Sequence, residues 1–317
     1  MQATSSTGQL PEVLHSSSSA LVLLLNRGAG QIRSLTGSIP PSGLVLLSCL
    51  SAQVGTAIAT FMFSSIGSMG TVFVCKAIAT LWLLAIWRPR WRNHSRQDYL
   101  LVGLFGLAMA GMSLAFFGAV SRVPLGVAST LEFLGPLGVA LLGSRRPLDL
   151  VWVGLAAGGV CLLSPLNGNT SLDPLGVALA LLSGVCWAGY ILLSVPAGRA
   201  FPGGAGLALS MTVATLILLP PGVLQAGTAL LDSKVLLLGV GAAFLGTIVT
   251  YSLEFKALKT VPPRVFGILM SIEPAIAALV GLLILGEQLQ LQSLMAIGLV
   301  VMAAIGVTLF GRTPSVH

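Results

Sequence analysis

Ten apolar runs, five of them free of charge, fill this chain from residue 42 to residue 310. They fall near 42–63, 69–87, 99–120, 124–143, 149–163, 174–195, 205–222, 234–257, 263–285 and 290–310. A helix needs about 20 such residues to cross the hydrocarbon core of a bilayer. Lipid leaves no partner for a bare N–H or C=O, so only helices or a closed barrel can span it. Barrel strands would be about 10 residues long with strict apolar/polar alternation, and these runs show neither. The expected fold is an all-α integral membrane protein of ten transmembrane helices. Composition agrees: 55% of the residues are hydrophobic and 8% are charged, where a soluble domain carries about 25% charged residues.

The net charge of +7 has a topological cause. With the N-terminus in the cytoplasm, the inner side receives Arg27, Arg33, Arg88, Arg90, Arg92, Arg96, Arg145, Arg146, Arg199, Lys256, Lys259, Arg264 and Arg312. That is 13 of the 16 basic residues. The outer side receives Arg122 and Lys234, and Lys76 lies within a span. This asymmetry is the positive-inside pattern and predicts both ends inside; no nucleic-acid partner is needed to explain it. Residues 1–41 differ: they are rich in Ser, Gly and Pro, and their one apolar run, Ala20 to Leu25, is too short to span. They read as a disordered cytoplasmic tail, not a signal peptide, since no basic segment precedes that run.

An internal repeat divides the rest. Ala119, Val123, Pro124, Val127, Pro136 and Ala140 match Ala257, Val261, Pro262, Val265, Pro274 and Ala278 at one constant offset. Five helices per copy is an odd number, so the second copy enters the membrane upside down. Inverted repeats are the architecture of many alternating-access carriers, although a channel can share it. The repeats are expected at 42–163 and 172–310. A proline within a helix frees the carbonyl four residues earlier. Pro136 thereby frees Glu132 and Pro274 frees Met270, which predicts a kink with an exposed carbonyl in the fourth and ninth spans.

Ionisable groups at membrane depth default to functional hypotheses. Lys76 in the second span and Glu132 in the fourth share a depth at which they could pair; the alternative for Lys76 is to snorkel outward. Glu273 lies mid-span, just before Pro274. Glu254 is expected at the inner interface beside Lys256, and Glu287 at an outer boundary. Gln53, Trp187, Tyr190 and Tyr251 are candidates to line the same cavity, with packing as the alternative for each aromatic. Trp187 and Tyr190 share a helix face, as do Tyr251 and Glu254. Cys49, Cys75, Cys161 and Cys186 all fall in apolar runs and read as small hydrophobes. His15, His94 and His317 lie outside the spans. Neither a metal site nor a cofactor is expected, and a nucleotide-binding P-loop is absent from the sequence, so ATP is not the direct energy source.

Several segments resemble the threonine/homoserine exporters of the EamA family, within the drug/metabolite transporter superfamily. They are Leu131-Glu132-Phe133-Leu134-Gly135-Pro136-Leu137, Ser144-Arg145-Arg146-Pro147-Leu148-Asp149 and Val151-Trp152-Val153 in the first half. In the second half they are Cys186-Trp187-Ala188-Gly189-Tyr190-Ile191-Leu192, Tyr251-Ser252-Leu253-Glu254, Phe266 to Ala275, and Gly286-Glu287. The resemblance implies two inverted EamA repeats in a bacterial inner membrane, and proton-antiport export of small neutral amino acids. It implies no enzymatic activity. Gln53, Glu132, Trp187, Tyr190, Tyr251 and Glu273 match the family pattern. Lys76 departs from it: the resemblance implies an arginine at this position, and lysine lacks the planar fork that grips a carboxylate with two hydrogen bonds. A zwitterion requires one cationic and one anionic contact. Lys76 would meet its carboxylate, and Glu132 or Glu273 its ammonium and the coupling proton. A drug or other metabolite exporter of the same fold, and a passive channel or non-transporting membrane protein, are the alternatives.

Overall fold

The computed structural model describes residues 40–87, 89, 94–142, 147–163, 172–201, 204–250, 253–254, 257 and 269–310. Among the described residues every regular element is helical. Helix α1 spans Pro41–Thr60, with Pro41 in the first turn, where its missing N–H costs nothing. Helix α2 spans Phe63–Trp87 but is broken at Gly67, whose φ of 68° only glycine adopts readily. The span proper therefore starts beyond Gly67, close to the boundary expected at residue 69. Its first free N–H groups, on Met69 and Gly70, donate to Gln225 Oε1 at 2.8 and 3.3 Å.

Helix α3, Arg96–Val120, opens on a capping box in which Ser95 and Asp98 satisfy each other's backbone N–H. The fourth span is split into α4, Leu125–Glu132, and α5, Leu134–Leu142, hinged at Phe133. Helix α6 covers Pro147–Leu163. Helix α7, Pro174–Ala200, is N-capped by Asp173, and α8 spans Ala205–Ala226. Helix α9, Ser233–Ala243, runs into a π-turn at Phe244–Val249. In the ninth span, a turn at Ser271 and Ile272 precedes α10, Glu273–Val280, which ends in a second π-turn at Gly281–Leu285. Helix α11 is Leu291–Phe310. Phe133 and Ser271 each stand three residues before a proline.

Among the described residues, five helices are long and apolar enough to cross a membrane: Ser42–Thr60, Phe63–Trp87, Arg96–Val120, Pro174–Ala200 and Ala205–Leu231. The others are shorter or broken. Leu224 is 85% exposed, Leu237 74%, Val185 69% and Leu81 68%. So much bare leucine and valine on the outer face is unsustainable in water and natural against lipid tails. The interior is mostly apolar but also holds polar groups, among them Ser48, Gln53, Thr130, Glu132 and Ser183.

Several helix packings occur in corresponding pairs between the two sequence halves. Three contacts pair like with like: α2 on α8, α4 on α10, and α6 on α11. Others come in couples. Helix α1 packs on α9 and α10, as α7 packs on α3 and on α4 and α5; α3 meets α8 as α9 meets α2. Glycines set the closest approaches. A Cβ on Gly55 would lie 2.5 Å from the Gly246 nitrogen, and one on Gly135 would overlap the Gly184 backbone. Space for the cavity is left between these tight crossings.

Candidate functional site

A cavity of about 470 Å³ opens at the centre of the bundle. Gln53 comes to its wall from α1, Lys76 from α2, Glu132 and Pro136 from the hinged fourth span, and Trp187 and Tyr190 from α7. Glu273 joins them from the first turn of α10, and Thr247, Thr250 and Glu254 from the π-turn and the residues after it. Pro274 is buried behind this wall. The structure thus brings Gln53, Lys76, Glu132, Trp187, Tyr190 and Glu273 to one cavity. Tyr251 lies outside the described residues, as do most of residues 1–41.

The expected pairing of Lys76 with Glu132 is not present. The two share the cavity, but no ion pair joins them; among the described residues the only one is Arg122 with Asp173, at 2.8 Å. Glu132 bonds instead to Ser183, whose Oγ lies 2.5 Å from Glu132 Oε1 and 2.9 Å from the Met112 carbonyl oxygen. A serine hydroxyl has one hydrogen. With Glu132 ionised, its carboxylate and the Met112 carbonyl compete for that hydrogen. With Glu132 protonated, its O–H donates to Ser183 and Ser183 donates to Met112, so both contacts are satisfied. The Ser183 bridge therefore favours different hydrogen arrangements in the two protonation states of Glu132.

Glu273 is held from the opposite direction. Gln53 Nε2 donates to Glu273 Oε1 at 3.0 Å. Glu273 Oε2 and Gln53 Oε1 are buried, and neither has a donor among the described residues. Each contact joins a carboxylate of one sequence half to a side chain of the other: Ser183 to Glu132, and Gln53 to Glu273.

Three placements depart from expectation. The carbonyl freed by Pro136 does not face open cavity: a Cβ on Gly184 would stand 2.7 Å from the Glu132 carbonyl oxygen, so α7 covers it. Glu254 is not confined to the interface, because the π-turn at Phe244–Val249 adds a residue to the turn and rotates the residues beyond it toward the cavity. Glu287 is more than a solvated boundary residue. Both its oxygens accept from the Leu125 N–H, at 3.1 and 2.9 Å, placing an acidic group at the N-terminus of α4. Ser183 was legible in principle: it stands four and seven residues before Trp187 and Tyr190, on the same helix face.

Among the described residues, three carboxylates and one ammonium line the cavity. Glu132 and Glu254 each lie within the electrostatic reach of Glu273. The wall thus has an excess of negative charge when all are ionised, and it suits a ligand or protons bringing positive charge. The carboxylates form no metal-holding cluster among the described residues.

A bundle of lipid-facing helices around a buried, charged cavity defines a polytopic membrane protein built to handle a small polar solute. The model of the EamA-like transporter family matches residues 174–309. The threonine/homoserine exporter RhtA of Escherichia coli (strain K12) is 43% identical over 277 residues, which is 87% of this chain and 93% of that protein. An uncharacterized inner membrane transporter of the same strain, YedA, is 31% identical over 222 residues, covering 66% of this chain and 70% of its own length. This chain belongs to the EamA-like transporter family. A solved crystal structure superposes with a TM-score of 0.57 over 86% of this chain and 97% of that one; at 18% identity the match shows the fold alone.

Proposed function

We propose that this protein exports small neutral amino acids, threonine and homoserine foremost, across a bacterial inner membrane by proton antiport and alternating access. The observation that carries this reading is the cavity's charge pattern: one ammonium and several carboxylates at the centre of a membrane bundle. Lys76 suits the substrate carboxylate, the glutamates suit its ammonium and the coupling proton, and about 470 Å³ is ample for a small amino acid. Extensive similarity to RhtA supports the substrate class.

The working unit is a pair of inverted five-helix repeats, 42–163 and 172–310, giving ten spans with both ends inside; residues 1–41 are a cytoplasmic tail. The matched helix pairings support the repeat, and the 13 inner basic residues support the orientation. The two cross-half contacts, Ser183–Glu132 and Gln53–Glu273, sit where the halves must shift against each other. A protonation or binding event at either glutamate alters a bond between halves and so biases the two access states.

Expression in an export-deficient bacterial strain tests the reading. Cells carrying the protein are expected to tolerate excess threonine and homoserine better than control cells, with no comparable tolerance to an unrelated drug panel. Broad drug resistance without amino-acid tolerance would overturn the substrate assignment.

A further inference from the structure

We propose that Gln53 and Glu273 together form the subsite for a primary ammonium group of the ligand, while Glu132 does not. The proposal rests on the amino-acid export reading and divides the labour between the two central glutamates.

The amide of Gln53 gives the first reason. Gln53 is 4% exposed on α1, and its NH₂ faces Glu273 Oε1 at 3.0 Å. That orientation is the one that sets a donor against a carboxylate acceptor. It leaves the amide oxygen, Gln53 Oε1, and the second carboxylate oxygen, Glu273 Oε2, both buried and both without a donor among the described residues. The two side chains touch each other, and both line the cavity. Buried polar atoms in folded proteins almost always find partners. Two acceptors on adjoining side chains, one carrying a formal charge, call for a donor with at least two hydrogens and a positive charge. A primary ammonium has three donors and a compact charge. Water or a hydroxyl supplies hydrogens without the charge.

The cation does not come from the described protein. Lys76 is the one cationic side chain among the described residues lining the cavity, and it makes no ion pair with Glu273. Glu254 interacts electrostatically with Glu273 and deepens the negative potential there. Glu132 differs in kind, because Oε1 is engaged by the Ser183 hydroxyl, itself shared with the Met112 carbonyl. Glu132 has a protein partner that responds to a proton; Glu273 and its amide neighbour have open acceptors that suit an ammonium.

The test compares threonine with 2,3-dihydroxybutanoate, which keeps the carboxylate and side chain but replaces the amine by a hydroxyl. Both are measured as competitors of labelled-threonine counterflow in proteoliposomes of the full chain. The wild type is expected to prefer threonine by about tenfold or more, the scale of a lost hydrogen bond to a charged group. Gln53→Met is expected to weaken threonine about tenfold while leaving dihydroxybutanoate within about twofold, and Glu132→Gln to preserve the preference. Equal weakening of both ligands by Gln53→Met, or loss of the preference in Glu132→Gln alone, would overturn the assignment.

A second readout separates this claim from the transport reading. If the wild type carries no threonine, the transport reading fails, and the subsite is then judged by thermal stabilisation of the purified protein with butylammonium against butanol. Stabilisation by the ammonium alone, lost in both Gln53→Met and Glu273→Gln, supports the subsite. No selective stabilisation of the wild type refutes it. Should Gln53→Met fail to assemble, Glu273→Gln reads the same selectivity in this assay.

Discussion

Among the described residues Lys76 enters the cavity without a carboxylate against its ammonium, whereas Glu132 and Glu273 each have a polar partner from another helix. An unpaired cation on the wall of a buried cavity is best explained by an anionic group of the ligand. Lys76→Met is therefore expected to lower the apparent affinity for threonine by about tenfold or more in counterflow, while Lys76→Arg, which keeps the charge and adds a planar fork, stays within about tenfold of wild type. The Ser183 bridge makes a separate prediction. Ser183→Ala removes the hydroxyl shared by Glu132 and Met112 and is expected to displace the pH profile of transport, with Ser183→Thr close to wild type. An unchanged profile in Ser183→Ala would remove Ser183 from the proton step. Glu132, Glu273 and Lys76 stood out in the sequence because charge within an apolar run is rare. The partner of Glu132 did not, because sequence sets a residue's depth along its helix but not which neighbour its side chain turns toward. Ser183 and Lys76 were both available by depth, and packing chose Ser183.

At the scale of elements, the close crossing of α5 and α7 depends on two glycines. A side chain on Gly135 would overlap the Gly184 backbone. Gly135→Val is expected to cost about 1–3 kcal/mol by overpacking and to lower the thermal midpoint of the purified protein by several degrees. The cap of α7 makes a milder case. The Arg122 guanidinium, and after it the Leu175 N–H, hold the Asp173 carboxyl below its ordinary value of 3.8. A lowered folded value means that the stabilisation is complete well above 3.8 and is lost as pH falls through the folded value. The pair is exposed, so Asp173→Asn is expected to shift the midpoint by no more than about 2 °C at about pH 7, and not at all once the wild-type carboxyl is protonated. Thermal unfolding at several pH values checks both. Several helix starts were legible, because Pro, Gly and charge punctuate the apolar runs: α4 begins at Leu125 after Pro124 and α7 at Pro174, where the runs were expected to begin at 124 and 174. The π-turn at Phe244–Val249 was not: nothing local marks an extra residue in a turn, and a count at about 3.6 residues per turn misplaces Glu254 beyond it.

Across the whole molecule, several helix pairings correspond between the two sequence halves while the charges do not. The first sequence half contributes Lys76 and Glu132, the second Glu254 and Glu273. A carrier with matched scaffolding and unmatched chemistry can expose one site to either side while holding a polar solute in one orientation. The orientation of the chain itself is open to a direct check. In a background without the four native cysteines, Arg122→Cys is expected to react with an impermeant maleimide added to intact spheroplasts, and Arg199→Cys only after permeabilisation; the reverse pattern would invert the topology. The central claim is proton-driven amino-acid export, and labelled threonine in proteoliposomes under an imposed pH gradient tests it most directly. Accumulation above equilibrium, abolished by a protonophore and lost when Glu132→Gln and Glu273→Gln are combined, is the predicted result. No uptake above empty liposomes, or gradient-driven uptake that survives both substitutions, would contradict it.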